Sequence, residues 1–139
     1  MKFSDDAKNA HHLISRSNDE YLLSECSKQV WFTIELCETI KVVRFELENH
    51  ELYAGSPREL GISVATKYST SARNWVALGN FTSTGQKKAA ESFENPRGNV
   101  FGKFVRVEIL SYYGEEHYCT LTSLRYSTLH NTTLHYSTL

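Results

Sequence analysis

The sequence predicts an all-β chain folded as an antiparallel sandwich or jelly roll, with at most a short helix near its N-terminus. Three observations predict it. Apolar residues recur at every second position in several short runs, the period of a strand with one buried and one wet face. Turn-forming residues punctuate the runs at Ala54-Gly55-Ser56-Pro57, Thr84-Gly85, Asn95-Pro96-Arg97-Gly98 and Tyr113-Gly114. Only one segment, close to the start, competes as a helix. Alternating strands with turns between them are what two packed sheets require.

Residues 1–18 form a poorly defined N-terminal segment, in which Asp6 is placed to cap a short helix carrying Ala7, Ala10 and Ile14 on one side. Strand-like texture begins at Tyr21. Over 30–36, Phe32, Ile34 and Leu36 share one face and Thr33 and Glu35 the other. A separate run follows, in which Val43, Phe45 and Leu47 alternate with Arg44, Glu46 and Glu48. Ile62 and Val64 make a shorter pair, and 75–81 and 90–93 come next. The clearest strand is 103–111, with Val105, Val107 and Ile109 inward and Arg106 and Glu108 outward. Residues 19–125 are thus the β-domain. Beyond Arg125 a low-complexity tail, 126–139, repeats Tyr-Ser-Thr-Leu and carries no Asp, Glu, Lys or Arg. It is expected to fray, because a lone strand past the core gains little burial, with extension of a terminal strand as the alternative, since Thr and Tyr favour sheets.

With 139 residues, 15 Lys and Arg against 16 Asp and Glu, and a formal net charge of -1, the chain suits one domain with a single core. Its cations are scattered except for Lys87-Lys88, which reads as a solvated turn, so no basic stripe points to a nucleic acid. No apolar run approaches the ~20 residues that span a bilayer, and the first residues lack the apolar core of a secretory leader. A lumenal role therefore requires targeting and anchoring segments elsewhere in a parent chain. Cys26, Cys37 and Cys119 are an odd number, allow at most one internal disulfide, and match no zinc spacing. Cys37 ends an apolar run and reads as a small buried hydrophobe. His11, His12, His50, His117, His130 and His135 show neither metal-ligand spacing nor a neighbouring nucleophile, and no catalytic or phosphate-binding motif appears. The expectation is a non-enzymatic domain without a cofactor.

The order of several blocks is specific. Tyr21-Leu22-Leu23-Ser24-Glu25-Cys26 precedes Trp31-Phe32-Thr33-Ile34-Glu35-Leu36-Cys37-Glu38. Phe45 to Tyr53, Ser56-Pro57-Arg58-Glu59-Leu60 and Trp75-Val76-Ala77-Leu78-Gly79-Asn80-Phe81 follow. Gly102 to Glu108 and Tyr113-Gly114-Glu115-Glu116-His117-Tyr118-Cys119 close the series. Together they resemble the SUN-like domain, and within it the mid-SUN, ossification-factor-like branch. The resemblance implies a galactose-binding-like β-sandwich on the lumenal side of the endoplasmic reticulum or nuclear envelope. It implies a membrane-anchored parent protein that binds a protein partner or a folding client, and oligomerisation through a coiled coil absent here. It also implies a disulfide between Cys26 and Cys119. The aromatic pocket of the KASH-binding branch is not reproduced at His117 and Leu121, so a KASH peptide is not the expected partner.

Four further sites follow. Tyr112, Tyr113, His117 and Tyr118, near the last inter-strand loop, are the candidate contact surface, since sandwich loops gathered at one end often bind. A carbohydrate-binding module using Trp75 or the 112–118 loop is the alternative, although Trp31 and Trp75 read first as packing residues. Asn80-Phe81-Thr82 and Asn131-Thr132-Thr133 match the N-glycosylation sequon, which serves only a chain entering the secretory pathway. Asn18 and Asp19 offer oxygen ligands for a loop-bound cation, with a solvated turn as the plainer reading.

Overall fold

The computed structural model describes residues 2–5, 8, 21–87, 89–97, 99–130 and 133–138. The helix expected over 6–14, the Asn18-Asp19 loop, Asn131 and the Cys37 side chain lie outside what is described. Among the described residues the chain is β throughout, apart from one 3-10 turn at Ala72–Asn74. The strands are β1 (Lys2–Phe3), β2 (Leu22–Glu25), β3 (Val30–Glu48), β4 (Pro57–Ala65), β5 (Val76–Thr82), β6 (Glu91–Glu94), β7 (Phe101–Tyr112), β8 (Tyr118–Leu121), β9 (Ser123–His130) and β10 (Thr133–Thr138). All strand pairs are antiparallel.

The runs 30–36 and 43–48 are not two strands but one. No glycine or proline interrupts them, and β3 extends for 19 residues. Its first half pairs with β1 and β7, its second with β9 and β6. The first layer is therefore β1-β3-β7-β4-β5 and the second β10-β9-β3-β6, with β3 turning the corner between them. A strand that serves two sheets must bend, and β3 does so where its pairing with β7 shifts between Glu35 and Ile40. A second shift, between Val42 and Arg44, moves the inward positions from even to odd. Phe32, Ile34, Leu36 and Val42 are buried before it, Phe45 and Leu47 after it. That change of phase is why the alternation alone divided the strand.

The core fills the space between the layers. Phe32, Val105, Val107 and Ile109 come from the first layer and Phe45 and Leu124 from the second, all at 0% exposure. Burying a side chain of this size contributes roughly 1.5–3 kcal/mol. Phe81 bridges the layers, with its ring centroid 6.5 Å from Phe45 and 5.7 Å from Phe93. The tail does not fray at Arg125. The second half of β3 offers an unpaired edge, and β9 takes it from Ser123↔Glu48 to Thr128↔Val42. Ser127 is fully buried, Tyr126 packs on the core, and β10 pairs along β9. The Tyr and Thr content that reads as low complexity also favours a sheet.

Candidate functional site

A small sheet of β2 and β8 sits at one end of the sandwich and brings residues 22–25 against 118–121. The disulfide between Cys26 and Cys119, with Cα atoms 5.1 Å apart and 93 residues between them in sequence, clasps the end of β2 to β8. The loop after β3 joins the same clasp: Gly55 donates its N–H to the Tyr118 carbonyl at 3.0 Å and accepts from Thr120 N–H at 3.1 Å. Gly55 has no side chain because none fits. A Cβ there would overlap Cys119 Sγ and approach the Tyr113 carbonyl to 2.6 Å.

Beneath the clasp lies a polar network. Asn49 is buried, donates to Ser56 Oγ at 3.0 Å and accepts from Thr120 Oγ1 at 3.0 Å. Lys87 does not occupy a solvated turn. Its Nζ donates to the carbonyls of Glu51 and Ala54, each at 2.7 Å, and so holds the 51–54 loop closed. Burial lowers its pKa from the usual lysine value, with Glu116 and Glu51 pulling the other way.

This end presents aromatic surface. Tyr53 is 90% exposed, Leu52 51% and Tyr118 50%. His117 stacks edge-on against Tyr118, ring centroids 4.5 Å apart, and its Nε2 lies 4.0 Å from the Glu25 carboxylate. Tyr113 is partly covered, donates to the Ser83 carbonyl at 2.6 Å and carries the Arg58 guanidinium 5.7 Å above its ring. Tyr112 is different. It turns inward onto the core, its hydroxyl 2.8 Å from Ser24 Oγ, and burial raises its pKa to about 12 against the opposing hydrogen bond. Of the four predicted contact residues, His117 and Tyr118 share the exposed end, Tyr113 lies at its margin, and Tyr112 is part of the fold. Leu52 and Tyr53, which sequence reasoning missed, are its most prominent members. The available signal was two apolar residues directly before the Ala54-Gly55-Ser56-Pro57 turn, where a core has no use for them.

A second feature lies on the outer face of the first layer. A recess of about 260 Å³ is lined by Ser63, Thr70, Trp75, Ala77, Arg106 and Glu108. Trp75 is pinned by its indole N–H to the Ser69 carbonyl at 2.9 Å. Arg106 covers the Trp31 ring at 4.2 Å and donates from Nε to Glu108 Oε1 at 3.1 Å. Trp31 thus packs under a cation, whereas Trp75 flanks an open recess. Among the described residues no cluster of three or more His, Cys, Asp or Glu side chains is placed to hold a metal.

The order of the sequence blocks has a counterpart in a known family: the model of the Sad1 / UNC-like C-terminal family matches residues 3–127. The chain belongs to that family. Relatives of this SUN domain include the human SUN domain-containing ossification factor, 32% identical over 125 residues. The match covers 86% of this chain and 10% of that protein. SUN domain-containing protein 4 of Arabidopsis thaliana is 35% identical over 121 residues, covering 86% of this chain and 20% of that one. This SUN domain therefore spans a tenth to a fifth of the length of these two relatives. Among solved structures, a CBM32 domain from a family 31 glycoside hydrolase of Clostridium perfringens superposes with a TM-score of 0.74 at 12% identity. It covers 93% of this chain and 89% of that one. The family 32 carbohydrate-binding module of C. perfringens NanJ, solved with galactose, gives 0.71 at 8% identity and covers 90% of each chain. The architecture is that of the galactose-binding-like jelly roll.

Proposed function

We propose that this SUN domain is a non-enzymatic interaction module, acting in the lumen of the endoplasmic reticulum or nuclear envelope as part of a membrane-anchored parent protein. Its partner is another protein or a newly made folding client. The clasp carries the reading. A disulfide persists in an oxidising compartment, and this one stiffens the end of the sandwich that exposes Tyr53, Leu52, Tyr118 and His117. Large, stiff aromatic side chains on a pinned backbone are what a protein contact needs, since they give area at low entropic cost. The test is photocrosslinking in lumenal vesicles, with the reactive side chain at position 53 or 118 and a control at the exposed Lys67 in the loop after β4. Adducts concentrated at 53 and 118 are the expected result. Equal yields at all three positions, or free thiols at Cys26 and Cys119, overturn the proposal.

A second reading, a carbohydrate-binding module, is favoured by the recess beside Trp75. An indole flank with an Arg-Glu pair is chemically suited to a sugar ring, and the NanJ module binds galactose on the same fold. Titration with galactose, followed by Trp fluorescence in the wild type and in Trp75→Phe, decides it; a silent wild type removes the reading.

A further inference from the structure

The sequon at Asn80 falls at an unusual place. It occupies β5, which among the described residues pairs only with β4 and so forms an outer edge of the first layer. Within β5 Leu78 points into the core and Phe81 packs against it, while Asn80 and Thr82 are exposed. The residue opposite Asn80 on β4 is Gly61, and the Asn80 Oδ1 lies where it would be 3.3 Å from a Cβ added there. The exposed amide thus stands over a position with no side chain. Two residues along β4, roughly 7 Å at strand spacing, Ser63 pairs with Ala77 and the recess begins. The sequon and the recess share one outward face.

We propose that Asn80 carries an N-linked glycan whose first sugars lie along the outer face of β4 and β5 and rest against Trp75. The oligosaccharyl group is transferred from its lipid pyrophosphate donor to the Asn80 amide nitrogen; a C–N bond forms, the donor's C–O bond breaks, the lipid pyrophosphate leaves with the bonding pair, and the proton lost from the amide N–H is released with it. Thr82 supplies the hydroxyl that the transfer requires at the third sequon position. The glycan accounts for two features that are otherwise costs. A free strand edge invites pairing with another chain, and a bulky hydrophilic group beside it prevents that. The recess, open in the bare protein, acquires an occupant of matching chemistry.

The proposal rests on the lumenal reading, and the test separates the two. The domain is fused to a secretory leader, expressed in a eukaryotic host and mapped by peptide mass spectrometry with and without glycosidase. Asn80 should be occupied in the wild type and in Thr82→Ser, and empty in Thr82→Ala, with Asn131 scored on its own peptide. Enzymatic removal of the glycan should lower the thermal midpoint by a few degrees in the wild type and by less in Trp75→Ala. An empty Asn80 in leader-fused protein whose Cys26–Cys119 bond has formed overturns the proposal. So does a midpoint indifferent to deglycosylation, or a shift equal in Trp75→Ala. The lumenal reading fails separately, if the parent chain under its own targeting carries neither bond nor glycan while the leader-fused domain carries both.

Discussion

The Tyr112 hydroxyl lies 2.8 Å from Ser24 Oγ, across 88 residues of sequence, and ties the central strand β7 to the small clasped sheet. Ser24 is buried, so Tyr112→Phe leaves its hydroxyl without this partner. The expected loss is about 1–2 kcal/mol in urea unfolding, the cost of a buried polar group deprived of its bond.

Burial of the same hydroxyl sets an alkaline limit. The Tyr112 pKa rises to about 12 in the folded state, through burial, from an ordinary value of 10.0. The folded protein therefore holds this proton more tightly than the unfolded chain. Its contribution is fully present below pH ~10 and is lost as pH climbs toward ~12. Absorbance titration should show one late tyrosine, absent in Tyr112→Phe, whose stability should fall less steeply across that window.

Gly55→Ala should be among the most damaging single changes at the clasp. The added methyl overlaps Cys119 Sγ and presses on the Tyr113 carbonyl, and neither atom belongs to a flexible side-chain end. Overpacking of this kind costs about 1–3 kcal/mol. Thiol counting after purification should also find a fraction of Cys26 and Cys119 unjoined, which the wild type lacks.

Lys87→Met removes the ammonium that bridges the Glu51 and Ala54 carbonyls. Hydrogen bonds from a charged donor contribute ~1.5–3 kcal/mol when buried. Lys87 is only partly covered, so solvent screening reduces this to about 1 kcal/mol or less. The more direct readout is amide hydrogen exchange, which should quicken at residues 52–55 and leave β7 unchanged.

Thr33→Val should leave stability unchanged or raise it by up to about 1 kcal/mol. Thr33 is buried on the outer side of β3, and its Oγ1 has no hydrogen-bond partner among the described residues. Replacing it with a methyl of similar shape removes a desolvated hydroxyl at no cost in volume. A destabilisation above 1 kcal/mol in a denaturant series would contradict this.

Period-two alternation made the sheets legible wherever a strand keeps one phase, as Val105, Val107 and Ile109 do. It failed at Val42 and Arg44, because a bulge reverses the inward face and a single strand then reads as two. It also failed at 126–130: composition resembles a loose tail, and only the free edge of β3 explains why the chain continues as a strand. At the candidate site, the block-order resemblance implied the Cys26–Cys119 bond, and the position of the last inter-strand loop singled out Tyr112, Tyr113, His117 and Tyr118. Tyr112 turns inward as the last residue of β7 while Tyr113 begins the following loop, and sequence alone does not say where the strand ends. Lys87 reads as a solvated turn because its acceptors are main-chain oxygens, which no side-chain motif records.

The path of β3 has a mechanical consequence. Because one uninterrupted backbone forms a central member of both layers, neither layer can peel away without tearing hydrogen bonds in the other. A load applied at the loop end would meet the whole sandwich as one yielding unit.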